Sequence, residues 1–134
     1  MWHDLEFFRE HEFACRCGCG DAPMDASFLK LVDQIRAEFG KPMTISSGYR
    51  CANHDVEARK AQPGTGAHCS GKACDVVIAG ADALELLGII VDKIEILGIG
   101  VNQRGAWDQR FLHIDTVEAS AGSSVLNRPN LWSY

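Results

Sequence analysis

Apolar residues recur at two periods along this chain, and the switches between them outline its elements. From Phe28 through Leu31, Val32, Ile35 and Phe39 they return every three or four positions, the period of one buried helix face. Asp25 stands where an N-cap is wanted and Gly40 where a left-handed C-terminal residue is wanted, so the spacing predicts a helix over 26–39. A second helix is expected to begin at Ala81-Asp82, with Leu84, Leu87, Ile90, Val91 and Ile94 as its apolar stripe. Period two takes over elsewhere. In 73–78, Ala73, Asp75 and Val77 share one face and Cys74, Val76 and Ile78 the other. In 111–117, Phe111, His113 and Asp115 oppose Leu112, Ile114 and Thr116. Residues 97–101 form a strand whose Gly98 and Gly100 leave room for another element. Short strands are expected at 43–46, ahead of a turn at Ser47-Gly48, and at 131–134.

The remaining stretches are irregular. Residues 1–24 wrap the domain, anchored by Phe7, Phe8 and Phe13. Residues 51–66 are a long polar loop with one helical turn around 55–60, placed to wall a site. The runs 102–109 and 118–128 are loops.

At 134 residues, with ordinary apolar and charged fractions, the chain suits one domain over 1–134. A net charge of -5 argues against a non-specific nucleic-acid binder, which needs a basic patch. No basic segment followed by an apolar one opens the chain, and no window approaches a membrane span, so neither a classical export signal nor a membrane partner is expected. A monomer is expected.

Asp75 is the odd residue in an apolar strand. A buried carboxylate is costly unless a metal, an arginine or several donors meet it. His68 precedes it by seven residues across a glycine-rich turn, and His113 lies on the other apolar strand. Each histidine alone reads as a loop or hydrogen-bonded core residue. Together with Asp75 they form the nitrogen and oxygen donor set of a catalytic zinc, which keeps a further position for water. Arg50 follows the Ser47-Gly48 turn, where its planar fork could grip a carboxylate or an oxyanion, against the plainer reading of a surface or salt-bridged arginine. His54, in the long loop, could contact substrate, against the plainer reading of an exposed residue without a role. Of six cysteines, Cys74 should point into the core. Cys15, Cys17 and Cys19 are separated by single residues, unlike the two to four of a zinc knuckle. A turn with one bridge to Cys51, or free thiols, is the plainer reading; a second zinc is the other.

Gly66-x-His68-x-x-Gly71-x-Ala73-x-Asp75 resembles the S-x-H-x-x-G-x-A-x-D motif of zinc D-Ala-D-Ala carboxypeptidases and their relatives, among them phage L-alanyl-D-glutamate endolysins and the hedgehog signalling domain. Ser47-Gly48-Tyr49-Arg50 resembles that family's S-G-Y-R segment, Phe111-Leu112-His113-Ile114-Asp115 its F-V-H-V-D strand, and 13–20 the cysteine- and glycine-bearing lead-in of shorter members. The resemblance implies an α+β fold, a small antiparallel sheet with helices packed on one side. It implies Zn2+ held by His68, Asp75 and His113, with Arg50 contacting substrate or stabilising the tetrahedral intermediate and Tyr49 and Gly66 beside the substrate. The implied activity is hydrolysis of peptidoglycan stem peptides, as carboxypeptidase or endopeptidase, by a phage, prophage or bacterial protein at the cell wall. A non-catalytic zinc-binding recognition module of the same fold is the alternative, and a cysteine-based redox or metal-storage protein a weaker third. Two positions depart from the family pattern: Gly66 replaces a serine, and Arg110 stands where several relatives carry an acidic general base. Asp115 is the first candidate for that base, since it shares a face with His113 about 6.5–7 Å along the strand. Its competing role is to orient a ligand. Asp108 is a weaker candidate for the base.

Overall fold

The computed structural model describes residues 1–119 and 126–134; part of the expected 118–128 loop therefore lies outside the described residues. Nine regular elements are placed in order: α1 (Glu10–Phe13), α2 (Ala26–Phe39), β1 (Thr44–Ser47), α3 (Asp55–Ala58), β2 (Ala73–Val77), α4 (Gly80–Val91), β3 (Gly98–Asn102), β4 (Phe111–Asp115) and β5 (Asn130–Ser133). The caps of α2 are those expected: the Asp25 side chain accepts from the Phe28 N–H, and Gly40 is left-handed at φ 74°.

The fold is α+β, built on a sheet ordered β1-β2-β4-β3-β5. Four of the strands pair antiparallel, but β5 runs parallel to β3, so the sheet is mixed rather than wholly antiparallel. Asp115, which ends β4, and Asn130, which opens β5, both lie opposite Gly98, so β4 ends and β5 begins at the same end of the sheet, on either side of β3. One sheet face supplies Cys74, Val76, Leu112 and Ile114 to a core shared with Phe28, Leu29, Val32 and Ile35 of α2 and Leu86 and Ile90 of α4. The opposite face carries Asp75, His113 and Asp115.

Register on that second face positions the polar residues. Asp75 on β2 lies directly across from His113 on β4. On the other flank of β4, His113 faces Gly100 and Asp115 faces Gly98. A Cβ on Gly100 would stand 2.6 Å from the Trp132 Nε1, so the bare backbone lets the β5 indole lie across β3 and reach His113, with ring centroids 5.1 Å apart.

The first 24 residues are less irregular than expected, holding α1 and a 3-10 turn at Trp2–Asp4. Phe8 and Phe13 are buried edge to face. The Tyr49 N–H donates to the Phe13 carbonyl at 2.8 Å, so the lead-in docks on the segment that bears Arg50.

The stripe expected on α4 is only partly right: Ile90 is buried and Leu87 packs against the core, but Leu84, Val91 and Ile94 do not face it. Ala83, Leu86 and Ile90 are the buried positions, while Leu84 is 72% exposed, Val91 60% and Ile94, beyond the helix end, 90%. Apolar residues surround this helix, so the pattern offers several overlapping stripes, and packing on α2 and β4 selects among them. Leu86→Ala should cost about 2–5 kcal/mol through the cavity it leaves, whereas Leu84→Ala should stay within about 0.5 kcal/mol. Denaturant midpoints of the two variants measure the difference. No helix among the described residues is long and apolar enough to cross a membrane.

Candidate metal centre

Three separate elements bring His68, Asp75 and His113 together. His68 sits in a 3-10 turn, Ala67–Ser70, closed by Gly71 at φ 74°. A Cβ on Gly71 would collide with the Pro23 carbonyl, so the turn packs on the backbone ahead of α2. Asp75 and His113 come from paired positions of β2 and β4. One donor atom from each of the three lies within 4.8 Å of the others, and all three residues are buried.

Hydrogen bonds decide which atom each ligand offers. The His68 Nδ1 lies 2.8 Å from the Gly48 carbonyl, an acceptor, so Nδ1 carries the proton and Nε2 faces inward, 3.4 Å from the Asp75 Oδ1. His113 is turned the other way: its Nε2 lies 2.6 Å from the Asp115 Oδ2 and its Nδ1 3.0 Å from the Asp75 Oδ1. Both imidazole outer nitrogens are thus anchored, as ligating histidines require. His68 would bind through Nε2 and His113 through Nδ1.

The electrostatics match a site that expects a cation. Burial pushes the Asp75 carboxyl up, but the hydrogen bonds from His113 and His68 outweigh it and hold the group well below the usual carboxylate range. Burial depresses His68, only partly offset by Asp75. In His113 burial is overcome by Asp115 and Asp75, and its affinity for a proton rises.

Asp115 is fully buried. Besides His113 it accepts from the Val117 N–H at 3.2 Å and from Arg128, through Nε at 2.9 Å and Nη2 at 2.7 Å. Burial raises its carboxyl, yet His113 and Arg128 draw it below its ordinary value. These contacts fit the orienting role better than that of a base in contact with water. Arg128 was not anticipated: it lies in a polar run with no periodic signal, and its guanidinium also lies 4.8 Å from the Trp132 ring.

Arg50 is aimed at the centre. Its Nε donates to the Ser47 Oγ at 3.0 Å and its Nη2 stands 3.5 Å from the Asp75 Oδ2. Tyr49 is half-buried and packs against the core. Gly66 is buried, and its N–H donates to the Glu57 Oε1 at 3.2 Å, which ties it to the loop. A Cβ there would meet the side-chain ends of Glu57 and Lys60. Glu57 is the second unanticipated residue, almost fully buried, bonded also to the Gly64 N–H and paired with Lys60; only the i, i+3 charge pair hinted at it. His54 has a local role, since its Nδ1 accepts from the Val56 N–H and caps α3. Arg110 places its guanidinium over the Trp107 ring at 4.9 Å. Asp108 lies in the exposed 3-10 turn at 107–109.

The protein family described as Peptidase M15 matches residues 6–115 of this chain. No curated protein matches it.

Proposed function

The chain belongs to the M15 peptidase family, a family of metallopeptidases that includes the zinc D-Ala-D-Ala carboxypeptidases, and from that premise we propose that it hydrolyses peptide bonds in peptidoglycan stem peptides. The observation that carries this reading is the convergence of His68 Nε2, Asp75 Oδ1 and His113 Nδ1 beside a guanidinium. Two nitrogens and one carboxylate oxygen fit zinc. When bound, the ion supplies Lewis acidity and makes its water acidic enough to act as a nucleophile near neutral pH.

The chain's own groups do the rest. Gly48 and Asp115 hold the outer nitrogens of His68 and His113, so the inner ones cannot turn away. Arg50 is fixed by Ser47 at Nε and keeps guanidinium donors for a substrate carboxylate or the oxyanion that develops on the attacked carbonyl. Trp132 covers one side of His113 and excludes water there. The substrate is a cell-wall peptide rather than a nucleic acid, and the protein acts as a monomer at the wall of a bacterium, from a bacterial or phage source.

One observation favours a second reading, a metal-holding recognition module without catalysis. Arg110, at the position of the relatives' acidic base, is stacked on Trp107. Amine release from purified sacculi separates the two. Zinc-loaded protein should liberate amino groups and a chelator should stop it; intact sacculi after exposure to fully loaded protein would leave only the recognition module. Identifying the new termini by mass spectrometry distinguishes carboxypeptidase from endopeptidase.

A further inference from the structure

A second group of side chains, outside the histidine centre, has the form of a metal site. The Sγ atoms of Cys15, Cys17, Cys19 and Cys51 all lie within 4.8 Å of one another. The Cys51 sulfur stands 3.7 Å from that of Cys15, 3.4 Å from that of Cys17 and 4.0 Å from that of Cys19. All four are free thiols, one of the two forms of the plainer reading, and the bridge to Cys51 is not formed. Four sulfurs at a zinc–sulfur distance of about 2.3 Å occupy a tetrahedron with edges of about 3.8 Å, and the three distances from Cys51 bracket that edge.

Single-residue spacing does not prevent this convergence. Residues 16–19 form a turn, and Gly18 takes φ 105°, open to glycine at little cost. The turn curls three thiols to one side, where an extended strand would hold Cys15 and Cys17 about 6.5–7 Å apart. Two backbone N–H groups point at the sulfurs, from Asp21 to Cys19 at 3.5 Å and from Cys51 to Cys15 at 3.4 Å. Such bonds to ligating thiolates are the outer support that metal sites use.

We propose that Cys15, Cys17, Cys19 and Cys51 bind a second zinc ion, a closed four-thiolate structural site separate from the histidine centre. A tetrahedral four-sulfur set suits this soft, redox-inert cation, and its binding releases the thiol protons. The ion ties the lead-in to Cys51, the residue after Arg50. It thereby joins a surface turn to the segment that lines the histidine centre.

Metal content of the full chain, loaded with zinc and desalted, tests this. Wild type should hold two zinc ions per chain. His113→Ala should hold one, and so should the Cys17→Ser/Cys19→Ser pair, both exposed positions. Cobalt-loaded wild type and His113→Ala should show thiolate-to-cobalt charge-transfer absorption, which the serine pair should lack. Cys17→His, which keeps a ligand, should restore the second ion. The proposal is overturned by a single zinc in wild type with none in His113→Ala, or by disulfides among these cysteines in the metal-loaded protein. Should the serine pair fail to fold, the wild-type count and the His113→Ala spectrum decide.

Discussion

Asp75→Ala should remove one metal ion per chain and take hydrolysis down to the uncatalysed background. Asp75 would be the one anionic ligand among the three residues that could hold a metal, and its Oδ1 faces both imidazoles while its Oδ2 faces Arg50. Loss of the carboxylate leaves two neutral nitrogens to hold a dication beside a guanidinium, an arrangement that repels the ion. Asp75→Asn keeps the volume without the charge and should fall between the two. Zinc content and sacculus digestion check both variants; an Asp75→Ala protein that keeps its zinc and digests sacculi would remove this residue from the site.

The same geometry dictates a pH dependence. In the metal-free protein His113 holds its proton more tightly than an ordinary histidine, through Asp115 and Asp75. A raised folded value stabilises the fold fully below the unfolded value, about 6.5, and that stabilisation is lost as pH rises through the folded value. Zinc needs the Nδ1 lone pair, so the proton competes with it, and apparent zinc affinity should climb over that same interval. Zinc-loaded protein should therefore gain in melting temperature over metal-free protein as pH rises above about 6.5.

Much of this arrangement is legible in the residues, for reasons that differ by element. Helix α2 carries its start and stop signals at Asp25 and Gly40, and local chemistry suffices for it. Strands β2 and β4 betray the site because a period of two separates their apolar faces from Asp75 and His113, and a carboxylate or imidazole among such neighbours demands a partner. Three features resist the same treatment. The parallel pairing of β5 depends on a neighbour, β3, that lies far back along the chain, which no local pattern encodes. The buried stripe of α4 is chosen by packing among several apolar faces. Cys15, Cys17 and Cys19 mislead a rule about spacing because the turn at Gly18 changes the distance that a given spacing spans.

Arg128→Ala carries the largest expected cost in stability, about 3–5 kcal/mol, because it leaves a buried carboxylate without its charge partner. The guanidinium meets Asp115 through two nitrogens, and both side chains are nearly or fully inaccessible to water. Nothing larger than hydrogen fits at Gly98, where a Cβ would strike Asp115 and the Arg128 Nε together. The pair is therefore sealed, and water cannot replace the lost cation. Arg128→Lys restores a point charge but not the fork, so it should recover part of the loss. The effect reaches the metal as well. Asp115 without Arg128 is a less neutralised anion against the His113 Nε2, which strengthens the proton that zinc must displace, and affinity should fall by about 10–100-fold at neutral pH. Denaturant melts of the metal-free variants and competitive zinc titrations measure the two consequences. Wild-type stability in Arg128→Ala would mean that Asp115 is neutral in the folded protein. His113 would then have lost the anion that aims it at the metal.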